Sequence, residues 1–131
     1  MSVTARIFAG AVALAAATGF AEAQLSPQWQ GCTGNPGIDW EQQIKSCTAL
    51  IESGQEATEN LSIAFYNRAL AYENKDDDEL AIADYSEAIR LNPKDAEAHF
   101  YRGLARQRKG DKNGGEADLA EAKRINPNIG K

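Results

Sequence analysis

The chain repeats itself. Residues 62–94 and 96–128 align without a gap at an offset of 34. Thirteen of the 33 aligned pairs are identical: Ala64/Ala98, Arg68/Arg102, Leu70/Leu104, Ala71/Ala105, Lys75/Lys109, Asp77/Asp111, Ala83/Ala117, Asp84/Asp118, Glu87/Glu121, Ala88/Ala122, Arg90/Arg124, Asn92/Asn126 and Pro93/Pro127. A fixed period of this length marks a stacked architecture, in which each unit buries its apolar face only against its neighbours.

Each copy divides into two helical stretches. Phe65, Ala69 and Tyr72 recur at helical spacing in SIAFYNRALAYENK, which predicts a helix over 62–75. A turn follows at Asp76-Asp77, and a second helix is expected over 78–91. On it Ala81, Tyr85 and Ala88 share a face, with Ile82 and Ile89 beside them. Asp77 can cap this helix by accepting from free backbone N–H groups. Pro93 stops it and pushes Asn92 toward an extended conformation. The second copy reads the same way over 96–109 and 113–125, with its turn at Gly110-Asp111.

These residues resemble the tetratricopeptide repeat (TPR), a 34-residue helix–turn–helix unit. Phe65, Ala69, Tyr72, Ala81, Tyr85, Ala88 and Pro93 occupy the places of its pattern. The second copy departs further, with His99, Gly103, Arg106, Gly115, Leu119, Ala122 and Pro127 there. The resemblance, to a small exported bacterial member of the family, implies an all-α fold: a short right-handed helix–turn–helix array.

About three units are usually needed to bury a continuous core, and only two are complete here. The missing part is expected before them. DWEQQIKSCTALIESG, 39–54, aligns with 77–92, Asp39 matching Asp77, Ile44 Ile82 and Cys47 Tyr85. This reads as a lone second helix, preceded by the turn-rich QGCTGNPG, 30–37. At the other end the helix over 113–125 is polar, has Gly114-Gly115 near its start and is expected to end uncapped.

Arg6, the apolar run IFAGAVALAAATGF (7–20) and AEA at 21–23 have the form of a secretory signal peptide cleaved after Ala23. An uncleaved anchor is the alternative, but the run is short for a span of roughly 20 apolar residues. The expected organisation is therefore a leader over 1–23, a cap and half-repeat over 24–61, and repeats over 62–95 and 96–131. An exported chain with Cys32 and Cys47 suggests a structural disulfide between them. A redox-active pair is the alternative, disfavoured by the absence of Cys-x-x-Cys spacing. The expected location is a bacterial periplasm, with no membrane attachment after cleavage.

The formal net charge is −5, and the basic residues form no stripe with interleaved aromatics, which argues against a nucleic-acid partner. KDDDE, 75–79, lacks calcium-loop spacing and reads as a turn with acids at a helix N-terminus. His99 is the single histidine and falls where a unit packs on its neighbour, so a packing role is expected and no metal site. Arg68 and Arg102 recur together with Asp84 and Asp118, which suggests an inter-helix ion pair, Arg102 with Asp84 being one pairing; arginines that bind an acidic ligand are the alternative. With one histidine, no glycine-rich phosphate loop and no strand pattern, no enzyme and no cofactor are expected.

In the TPR family the first helices line a concave face that binds peptides or partner segments. Carried over, that lining is Ile63, Tyr66, Asn67, Leu70, Glu73 and Asn74, then Glu97, Phe100, Tyr101, Leu104, Gln107 and Arg108. Tyr66, Phe100, Tyr101 and the leucines form an aromatic-rich strip suited to interface anchors, with Tyr66 also placed to cover the half-repeat. The family's clamp for chaperone C-terminal carboxylates is matched only by Asn67, since Tyr101 and Glu97 stand where basic residues belong. The expected function is protein–protein interaction on this face. A self-associating structural subunit that uses the uncapped last helix is the alternative.

Overall fold

In the computed structural model, which describes residues 26–131, apolar periodicity and capping divide the chain into six helices, with no strand among the described residues. They are α1 (Pro27–Cys32), α2 (Trp40–Ser53), α3 (Thr58–Asn74), α4 (Asp78–Leu91), α5 (Ala96–Arg108) and α6 (Lys112–Ile125). Each packs on the next in chain order. The fold is an all-α, TPR-like helical array. The leader expected over 1–23 lies outside the described residues.

Local chemistry sets the boundaries. Asp77, Asp95 and Asp111 each accept from a backbone N–H in the first turn of α4, α5 and α6. Asp39 goes further and forms a capping box with Gln42 at the start of α2. The turn between the helices of each complete unit needs one left-handed residue: Asp76 (φ 61°) in the first and Gly110 (φ 91°) in the second, 34 positions on. Glycine takes that conformation at no steric cost. The α4–α5 joint and the residues after α6 begin alike: Asn92 Oδ1 accepts from Lys94 N–H, and Asn126 Oδ1 from Asn128 N–H.

Alanines let the helices approach. Ala69, Ala81, Ala88 and Ala98 are fully buried around Tyr85, with Phe65, Tyr72 and Ile89 packed against them. In the second unit Gly103 and Gly115 replace Ala69 and Ala81, and this hairpin closes further. A β-carbon on Gly115 would lie 2.8 Å from the Gly103 carbonyl oxygen and 2.5 Å from Gln107 Cγ. Gly115→Ala should therefore destabilise the fold by roughly 1–3 kcal/mol through overpacking, despite alanine's better helix propensity. Thermal unfolding checks this, since propensity alone would raise Tm.

Two expectations are corrected here. The first helix of the first repeat starts at Thr58 rather than 62, because the backbone stays helical ahead of the region where the two copies resemble each other. The segment before α2 is not wholly irregular: Ser26 caps α1, Pro27 fills its first position, and helix continues to Cys32. Serine followed by proline is a start signal, since proline's missing N–H costs nothing at a first-turn position. Cys32 and Cys47 form a disulfide, buried with Trp29, Leu50 and Ala64. Trp29 is itself fixed by Nε1–H donating to Glu56 Oε1 at 3.0 Å.

Candidate protein-interaction face

The recurring arginines and aspartates pair within each unit, not across units. Arg68 donates from Nε and Nη2 to Asp84 at 2.7 and 2.8 Å. Arg102 donates likewise to Asp118 at 2.9 and 2.7 Å. The expected Arg102–Asp84 contact is thus corrected: each arginine lies opposite the aspartate of its own hairpin. The third donor reaches backward. Arg68 Nη1 meets Thr48 Oγ1 on α2 at 3.0 Å, and Arg102 Nη1 meets Ser86 Oγ on α4 at 3.1 Å. Each arginine therefore ties three helices together. The guanidinium of Arg68 also lies over the rings of Phe65 (5.5 Å) and Tyr72 (5.9 Å). Hydrogen bonding to Asp84 raises the Arg68 pKa, so it stays charged.

Asp118 carries more than its counterpart. Arg106, standing where the first unit has Tyr72, donates to it at 2.8 Å. His99 is buried, with Nε2 3.0 Å from the Pro93 carbonyl and Nδ1 3.9 Å from Asp118. Its place is structural, between the joint and the hairpin.

The residues expected to line the partner face fall into three groups. Ile63, Asn74, Glu97, Gln107 and Arg108 are exposed. Asn67 and Leu104 are half-buried, and the Asn67 backbone carbonyl accepts from the buried Gln43 side chain at 3.3 Å. Tyr66, Leu70 and Tyr101 pack against the Tyr85 cluster, while Phe100 is half-buried, 5.4 Å from the Tyr101 ring centre. Tyr66 packs toward the Tyr85 cluster. Its ring is 5.9 Å from Tyr85 and 6.4 Å from Tyr101.

Three polar ties cross this face. The Tyr66 hydroxyl donates to Glu97 Oε2 at 3.0 Å, joining α3 to α5. Arg108 donates to Glu73 at 2.7 Å and to Asp78 at 2.8 Å, joining α5 to α3 and α4. The Tyr85 hydroxyl donates to Glu73 at 2.6 Å. KDDDE is thus a turn and helix start: Asp77 caps, Asp78 receives Arg108, and Lys75 pairs with Glu41. The sequence gives no sign of these partners, because Tyr66, Glu73, Glu97 and Arg108 do not recur between copies. The hydroxyls of Thr48 and Ser86 do carry a signal: the offset that aligns Asp39 with Asp77 aligns them too.

Burial, followed by hydrogen bonding to Glu97 and Glu73 respectively, raises the pKa values of Tyr66 and Tyr85 far above the ordinary tyrosine value. Above about pH 10 the unfolded chain loses these protons while the folded chain keeps them. Stability is therefore full below pH 10 and falls as pH rises beyond it. In an alkaline titration followed by tyrosinate absorbance, Tyr66 and Tyr85 should ionise only together with loss of helical circular dichroism.

The residues after α6 turn back toward α5. After the Asn126 turn, Ile129 is buried, and Gly130 (φ 75°) sits where a β-carbon would lie 3.0 Å from Phe100 Cε2. Ile129 stands 34 positions after Asp95, the cap of α5. The outward side of α6 is polar, with Ala117 and Ala120 as its exposed apolar residues.

Helical hairpins locked by in-unit ion pairs and stacked in chain order define a helical-repeat scaffold. Residues 75–110 match a family model described as TPR repeat. The match begins just after α3, runs through α4 and α5, and supports the TPR family for this chain, whose repeats generally mediate protein–protein interaction. No curated protein matches the chain. No helix among the described residues is long and apolar enough to cross a membrane.

Proposed function

We propose that this chain is a non-enzymatic protein-interaction module, exported to an oxidising compartment such as a bacterial periplasm, that holds a partner segment against the α3/α5 face. The observation that carries this reading is the combination on that face of half-buried aromatics with exposed Ile63, Asn74, Glu97 and Gln107. The ties of Tyr66 to Glu97 and Arg108 to Glu73 hold the two helices side by side, so a partner meets a preorganised surface and less ordering is needed on binding. The buried disulfide is compatible with export.

Self-association through α6 has less to support it, because the exposed side of that helix is polar.

Packing dictates how the face is tested. Alanines at Tyr66 and Tyr101 would strip the Tyr85 cluster and confuse unfolding with lost binding. Ile63→Asp combined with Asn74→Arg alters exposed side chains only. In a pull-down from the exported fraction this double variant should lose the partner recovered by the parent protein, while Ala83→Arg on the exposed face of α4 keeps it. Equal recovery by all three proteins would remove the α3/α5 face from the account.

A further inference from the structure

The chain shows what one set of groups does inside it. Arg68 is held by a carboxylate, Asp84, while its guanidinium lies over two rings, Phe65 and Tyr72. A carboxylate and two rings meet again at the α5 end of the partner face, with no cation paired to the carboxylate among the described residues. Glu97, Phe100 and Tyr101 line a pocket of about 360 Å³ closed on its other side by the 126–131 tail. We infer that this pocket takes the guanidinium of an arginine in the partner segment, Glu97 receiving its N–H groups and the Phe100 ring lying beside it.

Charge complementarity chooses this occupant. The other carboxylate on the face, Glu73, is taken by Arg108 and by the Tyr85 hydroxyl. Glu97 accepts from Tyr66, and no cation pairs with it among the described residues. A neutral hydroxyl positions that carboxylate without cancelling its charge, so an exposed negative group stands beside aromatic surface. The Phe100 and Tyr101 rings meet edge to face, their planes inclined at 79°, and the half-buried Phe100 is the ring beside the tail. Arginine suits this better than lysine, since its planar guanidinium stacks on rings, presents a fork to a carboxylate and is weakly hydrated. The volume lies in the range of small-ligand sites. Lys131 is at the rim, exposed, and makes no ion pair with Glu97 among the described residues.

The inference deepens the proposed interaction role and rests on it, but its test needs no partner. The purified protein is titrated with N-acetyl-arginine amide and, separately, N-acetyl-citrulline amide, whose neutral head has the same shape. Backbone amide shifts are followed by NMR. Arginine amide should give saturable shifts clustered at Phe100, Tyr101, Ile129 and Gly130, and bind about fivefold more tightly than citrulline amide, the scale of a partly exposed ion pair with stacking. Glu97→Gln, which keeps an acceptor for Tyr66, should remove that preference. Equal binding of the two amides, shifts centred elsewhere, or a preference that survives Glu97→Gln would each overturn the arginine site. Pull-down of the partner by the parent protein reads the interaction role separately, so the failure of one is distinguishable from the failure of the other.

Discussion

Arg68→Leu should lower stability by about 3–5 kcal/mol, a large part of the total for a domain of this size. The loss comes less from the missing attraction than from what is left behind. Asp84 is 5% exposed, and its two oxygens take the Arg68 fork. Without the arginine a buried carboxylate must either stay charged and unpaired or take up a proton, and each costs stability. Thr48 on α2 also loses its tie to α3. The double variant Arg68→Leu/Asp84→Leu should recover most of the loss, since a buried pair replaced by apolar groups is often neutral. Thermal unfolding of the two variants checks both statements. At 4–8 °C per kcal/mol for a domain of about this size, the single change should depress Tm by roughly 12 °C or more. A single variant as stable as the parent would mean that the ion pair has no structural role, and would reopen an acidic ligand as the reason for the arginines.

Removing the disulfide should cost about 3 kcal/mol, the chain-entropy value for a loop of this length, since the bond joins residues 15 apart in sequence. The effect should be local first. α1 is short, and its attachment includes the bond itself, the Gln43 amide donating to the Cys32 carbonyl at 3.1 Å, and burial of Trp29 with its indole N–H on Glu56. In Cys32→Ala/Cys47→Ala the fluorescence of Trp29 should shift toward that of an exposed indole before the helices of the repeats melt. Trp40 is already 44% exposed, so the change reports Trp29. Coincident transitions would show the N-terminal cap and the repeats to be one cooperative unit. The redox alternative needs an accessible sulfur, and both cysteines are fully buried.

What the sequence reveals follows from what it repeats. Helix–turn–helix units, aspartate caps, small residues at crossings and arginine–aspartate pairing all recur at a fixed offset, so one copy predicts the other. Which aspartate each arginine meets was not legible, because Asp84 and Asp118 are equivalent in pattern, and only the packing of the hairpin selects the nearer one. Features that occur once were harder. α1 is too short to show periodicity and is betrayed only by Ser26-Pro27. The return of Gly130 onto Phe100 depends on tertiary contact alone. On the partner face, the residue types pointed to a groove, but the ties Tyr66–Glu97 and Arg108–Glu73 belong to single positions. Their consequence is practical: the aromatics that look like free anchors are in part core, and the exposed residues around them are the better handles.

The central claim is that the α3/α5 face holds the partner. A photo-crosslinking residue placed at Ile63, 43% exposed on α3, and separately at Ala83, exposed on α4, tests it most directly in cells producing the full chain. The account predicts a discrete protein adduct from position 63 and none from position 83. An adduct from position 83 alone, or the same adduct from both, would contradict it.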